Sequence, residues 1–313
     1  MMTTENSDTM DELETIIAIP PLPFRAGSFD RDAHHKNMRY LVERNFLKNG
    51  RRRAIGIAGT SLVHHVDDST LLDSVQIAGA AAGQNAILIA GLVATPPASA
   101  RQFVQRCMAL TRPPDYILLM PIPGVCNPDG IKAEFGALAQ DCGERFGARF
   151  LLYMRSSDLM TAFADLLSTS PHIFGVKIGT SETDLGRMRA AVPADKQVLW
   201  GVGDRATQAA RLGSRGHTSG ITLICPKVCD EIHNAYFAGD FESATKMEQL
   251  VAEFEDIRFM ESRAYNYSAV VAAAQIGGFS DVDLGEAGPF NAAPPPPIMS
   301  RLERCMDQLV SYH

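Results

Sequence analysis

The stretch Ile173-Phe174-Gly175-Val176-Lys177-Ile178-Gly179-Thr180 has the pattern of a buried β-strand, because its short apolar run is bounded by glycine at Gly179. A single lysine, Lys177, interrupts the run. A lysine among apolar neighbours loses hydration when it is charged, so burial lowers its pKa and raises the fraction of neutral amine. A neutral amine attacks ketones and forms Schiff bases. The alternative is structural: the side chain leaves the strand end and pairs with a carboxylate such as Glu182.

The composition is that of an ordinary globular protein, with 313 residues, 46% of them hydrophobic and 21% charged. The net charge of −7 gives no basis for nucleic-acid binding, and the run Arg51-Arg52-Arg53 is interpreted as a short surface run. No apolar run approaches the roughly 18 residues of a membrane helix. The polar, acidic start lacks the pattern of a signal or transit peptide. We therefore expect a cytoplasmic protein whose six scattered cysteines are reduced thiols.

Short apolar segments alternate with helical patterns along most of the chain. Continuous apolar strands indicate burial on both faces and hence a parallel sheet, and a series of such units predicts a closed (β/α)8 TIM barrel. The alternative is an open doubly wound sheet, but no G-x-G-x-x-G motif follows a strand and opens a helix. The predicted strands are Thr15–Ile19, Ala54–Ala58, Ala86–Ala90, Tyr116–Met120, Phe150–Tyr153, Ile173–Ile178, Gln197–Trp200 and Ser219–Leu223.

Three regions follow from this pattern. Residues 1–14 are predicted to be a flexible tail, residues 15–238 the barrel, and residues 239–313 a helical region that begins at a Gly-Asp break. The last region carries a strong amphipathic helix over Phe241–Met260 and a Gly- and Pro-rich segment before the final helix.

Reactive residues of such barrels lie where the strands end and in the loops that follow. The second strand runs into Gly59-Thr60-Ser61, the fifth ends in Tyr153-Met154-Arg155, and the sixth carries Lys177. Hydroxyls and backbone N–H groups in a glycine-led turn suit a carboxylate. A tyrosine near the amine suits proton transfer during imine formation. Together these groups point to a 2-oxo acid such as pyruvate.

Several of these motifs resemble the dihydrodipicolinate synthase / N-acetylneuraminate lyase superfamily of class I pyruvate aldolases. The turn Gly56–Ser61 resembles the family's "GxxGTTGE", Leu118–Pro121 its "vLlmPPyy" strand, and Leu152-Tyr153 its "ilYN" strand. Phe174–Lys177 with Thr180-Ser181 resembles its Schiff-base strand, and Gly239-Asp240 its C-terminal "GD".

The resemblance implies that Lys177 forms the imine, that Thr60 and Ser61 hold the carboxylate, and that Tyr153 relays protons with the Thr60 hydroxyl. It also implies a homotetramer built as a dimer of dimers. Each role has a structural alternative, because Thr60 could cap a turn and Tyr153 could be a core aromatic. No metal or organic cofactor is expected, since neither H-x-H nor H-E-x-x-H is present.

The chain departs from the family pattern where a second substrate would bind. Pro121-Ile122-Pro123-Gly124 lacks the second tyrosine of dihydrodipicolinate synthases, and Met154-Arg155-Ser156 replaces the residues that usually follow the first. Arg155 is a candidate substrate ligand, and so is His64, although His64 and His65 point opposite ways in extended chain. We expect a carbon–carbon or carbon–oxygen lyase with another acceptor, and the alternative is a non-catalytic barrel that binds a 2-oxo acid.

Overall fold

A closed barrel of parallel β-strands forms the centre of the molecule. The computed structural model describes residues 12–48, 50–58, 63–122 and 124–313. In this part of the chain eight strands close into one sheet, and helices alternate with most of them, so the predicted (β/α)8 barrel is confirmed. The barrel strands are β1 (Ile16–Ala18), β4 (Ala54–Ile57), β5 (Ile87–Val93), β6 (Tyr116–Met120), β7 (Phe150–Met154), β8 (Ile173–Ile178), β9 (Gln197–Trp200) and β10 (His217–Ser219).

The barrel strands are buried on both faces, as their continuous apolar sequence predicts. Every residue of β4, β6 and β7 is buried. Strand β10 pairs with β1 and β1 pairs with β4, which closes the ring. Interior side chains fill the barrel while the helices cover its outside, so neither face of the sheet meets water.

The helices begin and end with the residues that ordinarily cap them. The side chain of Ser181 accepts a hydrogen bond from the Asp184 N–H where the helix after β8 begins, and Asn127 does the same for the helix after β6. That second helix ends at Gly147 in the left-handed region, with φ 68°. The helices are α1 (Arg31–Glu43), α2 (Asp68–Ala82), α3 (Pro97–Met108), α4 (Pro128–Phe146), α5 (Met160–Thr169), α6 (Glu182–Ala191), α7 (Thr207–Arg211), α8 (Pro226–Phe237), α9 (Phe241–Arg263), α10 (Ser268–Gly277) and α11 (Pro296–Leu309).

The eighth strand lies earlier than predicted, at His217–Ser219 instead of Ser219–Leu223. The polar strand is stable inside the barrel because its side chains find partners there. The His217 ring lies 3.0 Å from the Tyr236 hydroxyl, and the Ser219 hydroxyl donates to Asp204 at 2.7 Å. A search for apolar runs misses a strand of this kind.

A small antiparallel hairpin follows β1, where the sequence pattern predicts no hairpin turn. It consists of β2 (Phe24–Arg25) and β3 (Ser28–Phe29). The two residues that join these strands, Ala26 and Gly27, both have positive φ, as a tight turn requires. The hairpin therefore depends on an alanine in a conformation that sequence rules assign to glycine or asparagine.

The end of the predicted flexible tail is part of the fold. Residues 1–11 lie outside the described chain, but Leu13 is completely buried. The Glu14 carboxylate pairs with Arg51 and Arg215. The prediction of a tail over residues 1–14 is therefore wrong for its last residues, because they bury an apolar side chain and form ion pairs.

The arginine run is not a simple surface run. Arg53 is one of the largest fully buried side chains and forms an ion pair with Asp230 of α8. Its guanidinium also donates to the Leu41 carbonyl. Burial of a charge requires such partners, and neither lies close to Arg53 in the sequence.

The C-terminal helices cover part of the barrel. Helix α9 packs along α8, and α11 packs on both α9 and α10. Near its end α9 leaves helical geometry at Met260, Glu261 and Ser262, and the last two have positive φ. This kink turns Arg263 back towards the barrel. Among the described residues no helix is both long enough and apolar enough to cross a membrane.

Candidate active site

Lys177 and Tyr153 lie side by side at the carboxyl ends of neighbouring strands. They are register partners on β8 and β7. Because side chains alternate across a strand, paired residues of parallel strands point to the same side of the sheet. Both side chains are buried, and the Lys177 Nζ atom lies 4.3 Å from the centroid of the Tyr153 ring. The structure thus brings these two predicted residues together.

Two glycines leave room for this pair. A Cβ atom added at Gly201 would lie 2.9 Å from both Cγ and Cε of Lys177. A Cβ atom at Gly179 would lie 2.6 Å from Cε2 of Tyr153 and 3.0 Å from its hydroxyl. Real Cβ contacts are longer than this, so both side chains pack directly against bare backbone. Gly179 is in the stretch that predicted the strand, but nothing in the sequence marks Gly201 as its counterpart.

The environment favours the neutral amine of Lys177. Burial lowers the pKa of this lysine, because the ammonium loses its hydration. The Tyr153 phenolate would raise that pKa, whereas the guanidinium groups of Arg263 and Arg155 lower it further. The net effect of these groups is a lowered pKa of Lys177. A nucleophilic lysine requires this shift.

The pKa of Tyr153 is lowered, which suits proton transfer. Burial by itself would raise the pKa of its phenol, but Lys177 in its ammonium form, Arg263 and Arg155 together outweigh burial, and the net pKa is lowered. The contribution of Lys177 is lost when its amine is neutral, whereas those of the two arginines remain. The Arg263 guanidinium also donates a hydrogen bond to Tyr153, which stabilises the phenolate. A phenol with a lowered pKa exchanges protons more readily near neutral pH.

The pair opens into a small cavity of about 40 Å³ at the carboxyl end of the barrel. Strand ends and the α9 kink together form its walls. The sequence predicts the end of this helix at Met260, where the kink begins, but it does not predict that residues of α9 line the cavity. The described lining residues are Ile19, Pro21, Tyr153, Lys177, Gly201, Gly203, Thr218, Gly220, Arg258, Phe259, Arg263, Asn266 and Tyr267.

The other predicted site residues lie either outside the described chain or away from the residues that line the cavity. Thr60 and Ser61 lie outside the described residues. Arg155 is exposed at the end of β7, with its guanidinium carbon 5.8 Å from the Tyr153 ring centroid. His64 is exposed in a short 3-10 turn, Val63–His65. Neither Arg155 nor His64 is among the described residues that line the cavity.

The positive charge of Arg155 acts on the protonation of His64. Loss of hydration lowers the pKa of His64, and the positive charge of Arg155 lowers it further. His65, the neighbouring histidine, packs instead with its ring centroid 5.5 Å from that of Phe290. Within the described ranges, no three His, Cys, Asp or Glu side chains converge to hold a metal ion.

Comparison with known proteins agrees with this architecture. Residues 151–286 match the dihydrodipicolinate synthetase family, a range that includes Tyr153 and Lys177. The chain is 27% identical over 255 residues to a 4-hydroxy-tetrahydrodipicolinate synthase of Pseudoalteromonas atlantica, covering 79% of this chain and 82% of that protein. The corresponding enzyme of Ruegeria pomeroyi is 27% identical over 243 residues, covering 76% and 81%.

The fold has close structural counterparts. The crystal structure of dihydrodipicolinate synthase from Bacillus clausii superposes with a TM-score of 0.84, over 96% of this chain and 98% of that one. The two sequences are only 20% identical, so this likeness concerns the fold. The family match over residues 151–286 and the sequence relatives support the dihydrodipicolinate synthase / N-acetylneuraminate lyase superfamily, and the shared barrel has the same fold.

Proposed function

We propose that the protein is a class I lyase that acts on pyruvate or a related 2-oxo acid through a Schiff base on Lys177. The observation that carries the proposal is the buried contact between Lys177 and Tyr153 beside a cavity at the carboxyl end of the barrel. Buried lysines with lowered pKa values are uncommon, and their position at this end of a barrel is where catalytic groups of the fold lie.

The reaction would begin with attack of the neutral Lys177 amine on the ketone carbon of the 2-oxo acid. The carbinolamine then loses water and leaves a protonated imine, with Tyr153 delivering the proton to the departing hydroxyl. The imine withdraws electrons from the adjacent carbon. In a carbon–carbon lyase the bond between that carbon and the next one breaks, and its electron pair forms the enamine. In a carbon–oxygen lyase the adjacent carbon first loses a proton to form the enamine, which then expels the hydroxyl of the next carbon as water. Protonation of the enamine and hydrolysis of the imine release the product and restore Lys177.

The remaining residues would bind the substrate. We assign the carboxylate next to the ketone to Thr60 and Ser61, with the Thr60 hydroxyl joining Tyr153 in proton transfer. The rest of the substrate would meet Arg155 and His64 at the rim. Because the cavity has room for only roughly three water molecules, side chains at the mouth must shift when a 2-oxo acid enters.

Borohydride trapping tests the proposal. The protein is incubated with pyruvate, reduced, and analysed by intact mass and peptide mapping. We expect one reduced pyruvyl adduct on Lys177, absent from Lys177→Ala. Lys196 is the matched control, because it is also partly buried with a lowered pKa but donates to the Ser170 and Ile173 carbonyls away from the cavity, and it should stay unlabelled.

Two results would count against the proposal. Absence of an adduct under conditions that label a known class I aldolase would exclude imine chemistry with pyruvate. If Lys177→Ala then bound 2-oxo acids as tightly as the parent protein, the protein would be a binding barrel. The homotetramer stays a separate prediction, which light scattering of the purified protein would check.

A further inference from the structure

The cavity beside Lys177 has few apolar surfaces. Among the described lining residues that carry a side chain, three are wholly apolar, namely Ile19, Pro21 and Phe259. Ile19 and Pro21 follow β1 and belong to the strand end of the barrel. Phe259 is the one of the three that a helix supplies, because it lies on α9 directly before the kink at Met260. It therefore reaches the cavity from outside the sheet.

The ring of Phe259 rests on the backbone of a glycine. A Cβ atom added at Gly203 would lie 3.1 Å from Cε2 of Phe259, which is closer than Cβ atoms ordinarily approach a ring. Gly203 also has a φ of 65°, a conformation that favours glycine. The ring edge thus occupies the space that a side chain would otherwise fill in the loop after β9.

The same loop connects Phe259 with the reactive amine. Gly201, two residues before Gly203, is the glycine whose backbone packs against the Lys177 side chain. Two residues of chain span at most about 7 Å. Lys177 and Phe259 therefore touch this loop at points no further apart than that, and both line the same cavity. A carbon chain that extends along the loop from an imine on Lys177 would meet the ring within a few carbons.

Charged neighbours hold the ring of Phe259 in place. The guanidinium carbons of three arginines lie 5.7, 5.6 and 4.9 Å from its centroid, and these are Arg205, Arg258 and Arg263. A cation within about 6 Å of an aromatic ring is attracted to the face of that ring. Arg205 and Arg258 are themselves anchored, because each forms an ion pair with a carboxylate of α9. A ligand that displaced the ring would have to break these contacts.

We propose that Phe259 limits the length of the carbon chain beyond the ketone, so that the substrates of this site are short-chain 2-oxo acids. The inference rests on the proposed function and narrows its substrate class. A methylene that fits beside the ring gains free energy from burial. A methylene that the ring blocks costs about 10- to 200-fold in discrimination. Phe259 would thus contact the substrate and determine specificity without taking part in the bond changes.

The test uses four unbranched probes: pyruvate, 2-oxobutanoate, 2-oxopentanoate and 2-oxohexanoate. For each, the concentration that gives half-maximal borohydride-trapped adduct on Lys177 is measured and divided by the value for pyruvate. In the parent protein we expect this ratio to rise by about 10- to 200-fold at the acid whose chain first meets the ring. Phe259→Ala should move the rise to a longer acid or remove it from the series, and Phe259→Leu should have an intermediate effect.

The matched control is Phe241→Ala. Phe241 is also a half-buried phenylalanine of α9 with a guanidinium over its ring, that of Arg211 at 4.3 Å, but it does not line the cavity. This variant should keep the ratios of the parent protein. Because the four probes are compared within each variant, a change in the reactivity of Lys177 cancels from the ratio. Adduct formation with pyruvate shows that a variant is folded, and Phe259→Leu decides the question if Phe259→Ala is not.

The outcomes separate the two proposals. If pyruvate labels Lys177 but the parent protein takes all four acids equally well, only the inference about chain length fails. It also fails if the smaller side chains at position 259 leave the rise at the same acid, or if they weaken all four acids by one factor, which would mean that the Phe259 ring only supports the site. If no 2-oxo acid labels Lys177, both the proposed function and this inference are overturned.

Discussion

Lys177 and Tyr153 are register partners on adjacent parallel strands, and the amine lies 4.3 Å from the centre of the phenol ring. The contact therefore depends on the hydrogen-bonded sheet, the most rigid part of the barrel. Reactive groups held by strands are positioned more reproducibly than groups held by loops. The sheet therefore holds the two side chains of the proposed catalytic pair in fixed positions.

Replacement of Tyr153 by phenylalanine should change both the rate and the pH dependence of imine formation. Loss of the proton donor should slow adduct formation with pyruvate by about 10²- to 10⁴-fold. Because the phenolate raises the pKa of Lys177, its removal lowers that pKa, and the rise of the rate with pH should begin at lower pH. Trapping rates between acidic and alkaline pH measure both effects.

Tyr312→Phe is the control, since Tyr312 lies in the C-terminal 3-10 turn and does not line the cavity. Arg263→Gln should move the same pH profile the other way, because Arg263 lowers the pKa of Lys177. Parent-like rates in Tyr153→Phe would show that the phenol takes no part in proton transfer.

The two glycines beside the reactive pair should not tolerate a methyl group. In Gly201→Ala the new Cβ would meet the Ile178 carbonyl at 2.6 Å and displace Lys177, and in Gly179→Ala it would displace Tyr153. A misplacement of about 1 Å costs on the order of 10²-fold in rate. We expect that loss in the rate of pyruvate trapping.

Gly186→Ala provides a matched substitution elsewhere. Gly186 lies within α6, and a Cβ there would have its nearest neighbour 4.0 Å away, at Leu212. It should keep full activity and gain about 0.5–1 kcal/mol in the free energy of unfolding, because alanine is the better helix former. Equal trapping rates in all three alanine variants would contradict the predicted crowding of the site.

Removing one partner of the Arg53–Asp230 pair should lower the free energy of unfolding strongly, whereas removing both charges should lower it much less. Asp230→Asn leaves the Arg53 guanidinium buried without its carboxylate and should lower the free energy of unfolding by about 3–5 kcal/mol. Asparagine still accepts the hydrogen bond that the Phe46 N–H donates at 2.8 Å. Adding Arg53→Met should recover much of the loss, because the unpaired charge is gone.

Urea unfolding of the single and double variants measures this difference. Lys132→Gln is the control, because it breaks an exposed ion pair with Asp165 and should have little effect. A double variant that is less stable than Asp230→Asn would contradict the argument that the uncompensated charge is the main cost.

Two buried histidines should make the fold sensitive to acid. Burial lowers the pKa of His34 to about 4 and that of His233 to about 3, from an ordinary value of 6.5. Below pH 6.5 the unfolded chain therefore binds protons that the folded protein does not. Stability is complete above that pH and declines as pH falls towards 4, by up to about 1.4 kcal/mol per pH unit for each histidine.

Free energies of unfolding at pH 7, 6 and 5 would show this decline. His34→Gln keeps a donor for the Ser74 carbonyl, which the His34 ring contacts at 3.0 Å, and should flatten the dependence on pH. The exposed neighbour His35 is the control, and His35→Gln should leave the slope unchanged. An unchanged slope in His34→Gln would mean that other groups cause the acid sensitivity.

Local patterns predicted the barrel, which is confirmed, and they singled out Lys177 and Tyr153, which the structure brings together. Alternation of apolar strands with capped helices predicted the closed parallel sheet, and a lysine inside a strand predicted a buried amine. Tyr153 followed from its place at a strand end and from the family resemblance. These features are encoded by residues that are close in sequence, so they appear as periodicity or as short motifs.

The remaining features needed the folded chain. The polar strand β10 is stable because Asp204 and Tyr236 meet it, and Arg53 is buried because Asp230 lies beside it. The predicted helix ends at Met260, where the kink begins, but the contact of Arg263 with Tyr153 is visible only in the folded chain. Each depends on partners distant in sequence, and the free energy of burying a polar group is decided by the partner it meets in space.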